Sequence, residues 1–184
     1  MPITIAVGRE HLEGERRVAL APETAKKFSA LGAQLRMEQG AGLNSHFVDA
    51  DYLNTEITQA QAEAYQNAQI IMRVTPPTLE EIEQIPQGAV LIGLLKPYES
   101  KERLAALNAR NISAFALELL PRISRAQSMD ALSSQGACSG YQCALIGASH
   151  SAKFFFFFST AAGTIRPARA WVVGAGVAGV QGVA

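Results

Sequence analysis

Apolar runs alternate with segments of helical spacing along most of this chain. "ITIAV", Ile3 to Val7, reads as a strand and is followed by the loop "GREHLEGERRV". "APETAKKFSALG", Ala21 to Gly32, carries Pro22 where a helix starts, Phe28 and Leu31 on one face, and Gly32 as the stop. "AQLRMEQGAG", Ala33 to Gly42, predicts the next strand, with Gly40 and Gly42 turning the chain out of it. "QIIMRV", Gln69 to Val74, is a strand closed by Pro76-Pro77, and "TLEEIEQI" after it reads as a short helix. "AVLIGLL", Ala89 to Leu95, is continuously apolar, as a strand buried on both faces is. "ESKERLAALNARN" is an amphipathic helix with Leu104 and Leu107 inward, and "ISAFALE", Ile112 to Glu118, closes the series as another buried strand.

Strands alternating with helices over short connections predict a parallel sheet with helices on both faces. The fold class expected is therefore α/β. A doubly wound parallel-sheet domain occupies residues 1–129, a connecting helix 130–160, and the start of a second, Rossmann-type domain 161–184. The connecting helix is predicted because Asp130 to about Phe158 contains no Pro, although Gly136, Gly140 and Gly147 interrupt its spacing. Phe154 to Phe158 would cover every side of that helix, which points to core or interface packing. Ala170 to Val173 is the expected first strand of the second domain.

Composition narrows the class. Sixteen Lys and Arg cancel sixteen Asp and Glu, which gives no electrostatic footprint for nucleic acid or an anionic membrane surface. Arg9 and Glu10 break the first apolar run, so no signal peptide is read, and the apolar stretches are too short and glycine-rich for a membrane span. Cys138 and Cys143 make neither a disulfide framework nor a zinc site. His11, His46 and His150 are scattered, and no metal site is expected.

Two segments carry candidate chemistry. Gly174, Gly176 and Gly179 spell G-x-G-x-x-G directly after the apolar run Ala170 to Val173. A dinucleotide fingerprint uses its first glycine for the sharp turn, its second for backbone approach to pyrophosphate, and its third for close packing. "PRISRAQSMDALSSQ", Pro121 to Gln135, follows the last buried strand, on the side where open α/β sheets gather ligands. It collects Arg122, Ser124, Arg125, Gln127, Ser128 and Asp130, with Ser133 and Ser134 beyond. Such a set grips a polar ligand through guanidinium, amide and carboxylate groups. Equally, Asp130 caps the following helix and the arginines are solvated; both readings stand at this point. For "EGERRVALAPET", Glu13 to Thr24, the spacing favours local ion pairs among Glu15, Arg16 and Arg17.

With these residues quoted, the chain resembles the NAD-binding component of the proton-translocating NAD(P) transhydrogenases and their relatives the alanine dehydrogenases. The resemblance runs from "GERRVALAPET" through "EQGAG" and "PRISRAQSMDALSSQ" to "TAAGTIRPARAWVVGAGVAG". It implies NAD(H) as cofactor, with Arg122, Ile123, Ser124, Gln127, Asp130 and Ser133 around the nicotinamide end and Gln127 at the reacting position. It also implies Gly174, Ala175, Gly176, Val177 and Gly179 at the pyrophosphate. Further implications are a homodimer, a partner component that binds NADP(H), a membrane-embedded proton channel, and a cytoplasmic location peripheral to the inner membrane through the partner subunit.

Where alanine dehydrogenases are expected to have a lysine and a catalytic histidine, this chain has Arg73 and Lys96. Acting on an amino acid needs a base near the reacting carbon, whereas hydride passage between two nicotinamides needs orientation and close approach. "CSGYQCALIGASHSAKFFFFF" keeps Gly140 and Tyr141 of the family pattern and departs around them. The rest of the second domain and the family's return segment do not follow Ala184, so a fragment of a longer transhydrogenase α chain is expected. The alternatives are an alanine-dehydrogenase-like oxidoreductase, or a non-catalytic piece that only binds a partner subunit.

Overall fold

The computed structural model describes residues 2–184. They divide into two compact units, one ending at Leu120 and the other beginning at Pro121. The first is an α/β unit: β1 (Thr4–Val7), α1 (Pro22–Ala30), β2 (Gln34–Glu38), β3 (Thr55–Thr58), α2 (Gln61–Tyr65), β4 (Ile70–Met72), α3 (Leu79–Gln84), β5 (Val90–Gly93), α4 (Lys101–Ala109) and β6 (Ser113–Ala116). Its six strands are ordered β3-β2-β1-β4-β5-β6, and every pairing is parallel. That is the doubly wound order, and its direction reverses between β1 and β4.

All four residues of β1 are buried, because the strand lies at the centre of the sheet and is covered on both faces. Side-chain alternation splits them. Ala6 joins Tyr65, Ile71, Ile82, Leu91 and Leu107 in one core. Ile5 and Val7 join Leu20, Leu35, Met37 and Tyr52 in the other. Local signals agree with this frame. Pro22 opens α1, and the left-handed Gly32 (φ 86°) lies just beyond its end. Thr78 and Glu81 form a reciprocal capping box on α3, with N–H···O distances of 3.2 and 2.7 Å.

β3 and α2 lie where the sequence pattern predicts no element. β3 is a sheet edge with the polar sequence "TEIT", and α2 is a single short helix, so neither leaves a hydrophobic period long enough to read.

The second unit holds a 3-10 segment (Ser124–Met129), α5 (Ala131–His150), an antiparallel hairpin of β7 (Phe158–Thr160) and β8 (Gly163–Ile165), and α6 (Val177–Val183). Two expectations are corrected here. The connecting helix stops at His150, and Phe154 to Phe158 lie outside it. Phe154, Phe156 and Phe158 instead stack on one another at centroid distances of 5.6–5.9 Å, the period-two contact of an extended chain. They are 38–60% exposed, so the core packing expected of them is not formed among the described residues. Ala170 to Val173 is not a strand: no described segment pairs with it, and Trp171 and Val173 are 93% and 100% exposed. A strand needs a ladder for its backbone groups.

At the reversal between β1 and β4 the chain fills its own strand ends. The Glu10 carboxylate accepts the backbone N–H of Val74 (2.6 Å) and of Thr75 (3.1 Å), together with the Thr75 hydroxyl. Arg73 lies between Glu10 (3.5 Å) and Glu81 (2.7 Å), with the three side chains 2–10% exposed. Removing one member of a buried ion pair leaves its partner uncompensated, so Glu10→Ala is expected to lower the unfolding free energy by about 3–5 kcal/mol, read from the urea midpoint. Burial also pushes the Tyr65 hydroxyl above its ordinary pKa of 10.0. The folded chain then holds that proton more tightly than the unfolded one. Its contribution to stability is whole below that ordinary value and is lost as the pH rises above it. A Tyr65→Phe chain should show a flatter fall of stability on the alkaline side when the same titration is repeated.

Candidate functional site

The polar segment after Leu120 is shaped by one buried residue and one cap. Ala126, 4% exposed, anchors the 3-10 segment Ser124–Met129, while Arg122, Ile123, Ser124 and Gln127 around it face outward. Asp130 ends the turn and caps α5: its carboxylate accepts the Ser133 backbone N–H at 2.9 Å and the Ser133 hydroxyl at 2.6 Å. Its backbone carbonyl accepts the Ser134 hydroxyl at 3.1 Å. These Ser133 bonds, with a smaller contribution from the Arg122 charge, hold the Asp130 carboxyl below its ordinary pKa. It is a carboxylate at neutral pH, and each oxygen keeps a lone pair beyond the bond to Ser133. The capping role and a ligand-facing role are therefore compatible in one side chain.

In the glycine fingerprint the structure separates three roles. Gly174 has φ 109°, a conformation open to glycine and strained for other residues. Gly176 precedes α6, and a side chain there would project into open space. Gly179 has no room: an added Cβ would lie 3.0 Å from the Gly174 carbonyl carbon, closer still to its oxygen, and 3.4 Å from Val172 Cγ1. Turn, open approach and tight packing thus fall on the first, second and third glycines, as a pyrophosphate-binding turn requires. These residues fit a dinucleotide.

The two segments are brought into one neighbourhood by α5. An added Cβ at Gly136 would meet Val177 at 3.9 Å, and one at Gly182 would meet the Gly140 carbonyl oxygen at 3.3 Å. Six helical residues separate Asp130 from Gly136, a rise of about 9 Å. The start of α6 therefore lies within two turns of the Asp130 cap. Pattern reading counted these glycines as weaknesses of the helix; the structure uses them as its contact surface.

Other candidates are engaged elsewhere. Arg17 pairs with Glu15 at 2.7 Å and Arg16 meets His46 Nε2 at 3.2 Å, in keeping with local pairing in that loop. Lys96 pairs with Glu99 at 3.2 Å, and Arg73 is enclosed by Glu10 and Glu81. Cys138 and Cys143 are free and exposed, and no group of three or more metal-ligating residues occurs among the described residues. The Glu10–Arg73–Glu81 cluster had no local sequence signal, since its members lie as much as 71 positions apart.

Fold and site define a two-part nucleotide-binding α/β protein, and the comparisons with known proteins say of which kind. Residues 6–139 match the family described as "Alanine dehydrogenase/PNT, N-terminal domain", and residues 143–184 match its C-terminal domain. The chain belongs to the alanine dehydrogenase/PNT family. It is 42% identical to the first part of "NAD(P) transhydrogenase subunit alpha" of Rhodospirillum rubrum, over 98% of this chain and 49% of that protein. The corresponding Rickettsia prowazekii protein is 38% identical, over 96% and 48%. An alanine dehydrogenase of Methanococcus maripaludis is 27% identical. Among solved structures, the transhydrogenase of Sinorhizobium meliloti superposes with a TM-score of 0.92 at 37% identity, over 98% of this chain and 54% of that one. The chain thus spans about half the length of these relatives. No helix among the described residues is long and apolar enough to cross a membrane.

The cap makes a direct prediction. In Asp130→Ala the Ser133 amide should exchange with solvent faster than in the unsubstituted chain, as NMR would show. A carboxyl whose folded pKa is depressed stabilises above its ordinary value, 3.8 here, and loses that contribution as the pH falls through the folded pKa. Acidification should therefore reproduce the substitution in the unsubstituted chain and leave Asp130→Ala unchanged.

Proposed function

We propose that residues 121–184 hold NAD(H) as part of a proton-translocating transhydrogenase. In this reading Gly174, Ala175, Gly176, Val177 and Gly179 receive the pyrophosphate. Arg122, Ile123, Ser124, Asp130 and Ser133 surround the nicotinamide end, and Gln127, whose amide both donates and accepts, lies at the reacting position. The observation that carries it is the three-way division of the glycines, joined through α5 to the exposed polar turn before Asp130.

The nicotinamide, when bound, supplies the hydride chemistry. The residues' work is orientation. Outward-facing Arg122 and Gln127 offer donors to a carboxamide and ribose. The Asp130 carboxylate, fixed by Ser133, offers an acceptor whose direction is set before binding. A ring held by such a clamp presents one face for close approach to a second nicotinamide, which on this reading is NADP(H) on a partner component. Coupling to proton movement through a membrane-embedded component, a homodimer of this component, and a place at the inner cytoplasmic surface complete the proposal. Amino-acid oxidation is disfavoured by Arg73, whose charge is already met by Glu10 and Glu81, and by the lysine at position 96.

Titration of the chain with NADH, followed by nicotinamide fluorescence, tests this reading. Saturable binding is expected, weakened about tenfold or more by Gly176→Val and several-fold by Asp130→Asn. Gly176→Val is the sharper probe, since its side chain meets open space in the chain and leaves the packing intact. Equal affinity in all three chains would contradict the site. NADH oxidation dependent on pyruvate and ammonia would favour the alanine dehydrogenase reading instead.

A further inference from the structure

We propose that Gly140 is a positioning residue for the cofactor, acting through the spacing that α5 sets between the two halves of the site. The inference rests on the reading of residues 121–184 given above. Gly140 lies three turns into α5 and touches nothing in either proposed contact set. A Cβ added there would lie 2.9 Å from the Ala178 carbonyl carbon and 3.0 Å from the Ala178 Cα, and closer still to the carbonyl oxygen. All three atoms are backbone, so no side-chain rotation relieves the clash.

The consequence runs along a short chain of contacts. Gly179 packs against the Gly174 carbonyl and Val172, which ties the fingerprint turn and α6 into one body. That body is seated on α5 where Gly140 lets the two backbones approach, the close crossing that small residues permit and Cα–H···O contacts favour. At the other end of the same helix Asp130 fixes the polar turn. α5 therefore acts as a ruler: its N-terminus holds the nicotinamide contacts and its Gly140 seat holds the pyrophosphate contacts. Any side chain at 140 lifts α6 by a distance on the order of 1 Å to restore ordinary carbon contacts. Displacements of that size cost a two-point site far more than they cost either point alone.

The experiment compares Gly140→Ala with Gly136→Ala, whose added Cβ meets Val177 only at an ordinary 3.9 Å. Each chain is titrated with NADH, which spans both halves, and with ADP-ribose, which reaches the pyrophosphate half but has no nicotinamide. Circular dichroism checks that α5 is retained. In Gly140→Ala, NADH affinity is expected to fall about tenfold or more while ADP-ribose affinity changes less than about threefold. Gly136→Ala should bind both as the unsubstituted chain does. Unchanged NADH affinity in Gly140→Ala, an equal loss of both ligands, or an equal effect of the two substitutions would overturn the proposal.

Failure of the underlying reading shows itself separately, as an unsubstituted chain that binds neither ligand. In that case residual dipolar couplings decide the ruler by itself. α6 must reorient against α5 as a body in Gly140→Ala and keep its orientation in Gly136→Ala. An α6 that does not reorient in Gly140→Ala overturns it.

Discussion

The approach of the α5 backbone at Gly140 to the Ala178 carbonyl is the contact on which the second unit depends. A side chain at 140 would hold the two helices apart. With glycine there, a seven-residue helix that would not persist alone is held against a twenty-residue one. The consequence is geometric. The turn carrying Gly174 and Gly176 is packed on α6, the polar turn is capped onto α5, and one crossing sets the relation of both. A dinucleotide site needs two contact sets at a fixed separation, and a continuous helix is a stiff way of fixing it.

The first unit obeys a different constraint. A wholly parallel sheet must be covered on both faces, and its central strand is buried throughout. Such sheets place ligands outside the carboxyl ends of their strands where the order reverses. Here that position, between β1 and β4, is filled by the chain's own Glu10, which saturates two backbone amides, a hydroxyl and Arg73. The loop after β1 is thereby fastened to the loop after β4. The crevice serves cohesion, and the proposed nucleotide chemistry is left to residues 121–184.

Most of the sheet was legible because its strands are apolar runs bounded by Gly and Pro, with helices opened by Pro22 and the Thr78 capping box between them. β3 and α2 escaped, being short, polar and stabilised by neighbours the local sequence does not name. The phenylalanine run misled for a physical reason: five identical residues carry no period, so their spacing cannot tell helix from extended chain. Ala170 to Val173 has the composition of a strand, but a strand is completed by a partner, and composition does not supply one. At the candidate site the residue types were readable, as was the cap at Asp130. The seat at Gly140 was not, because a helix-interior glycine looks like a propensity defect until the backbone it touches is seen.

The central claim is that one ligand engages the turn before α5 and the turn before α6 together. Chemical-shift mapping of the isotopically labelled chain during NADH addition tests it most directly. The account predicts that amides of Ser124 to Ser133 and of Gly174 to Gly179 shift in parallel along one saturation curve. Shifts confined to one of these segments, or centred instead on the strand ends around His11, Arg73 and Lys96, would contradict it.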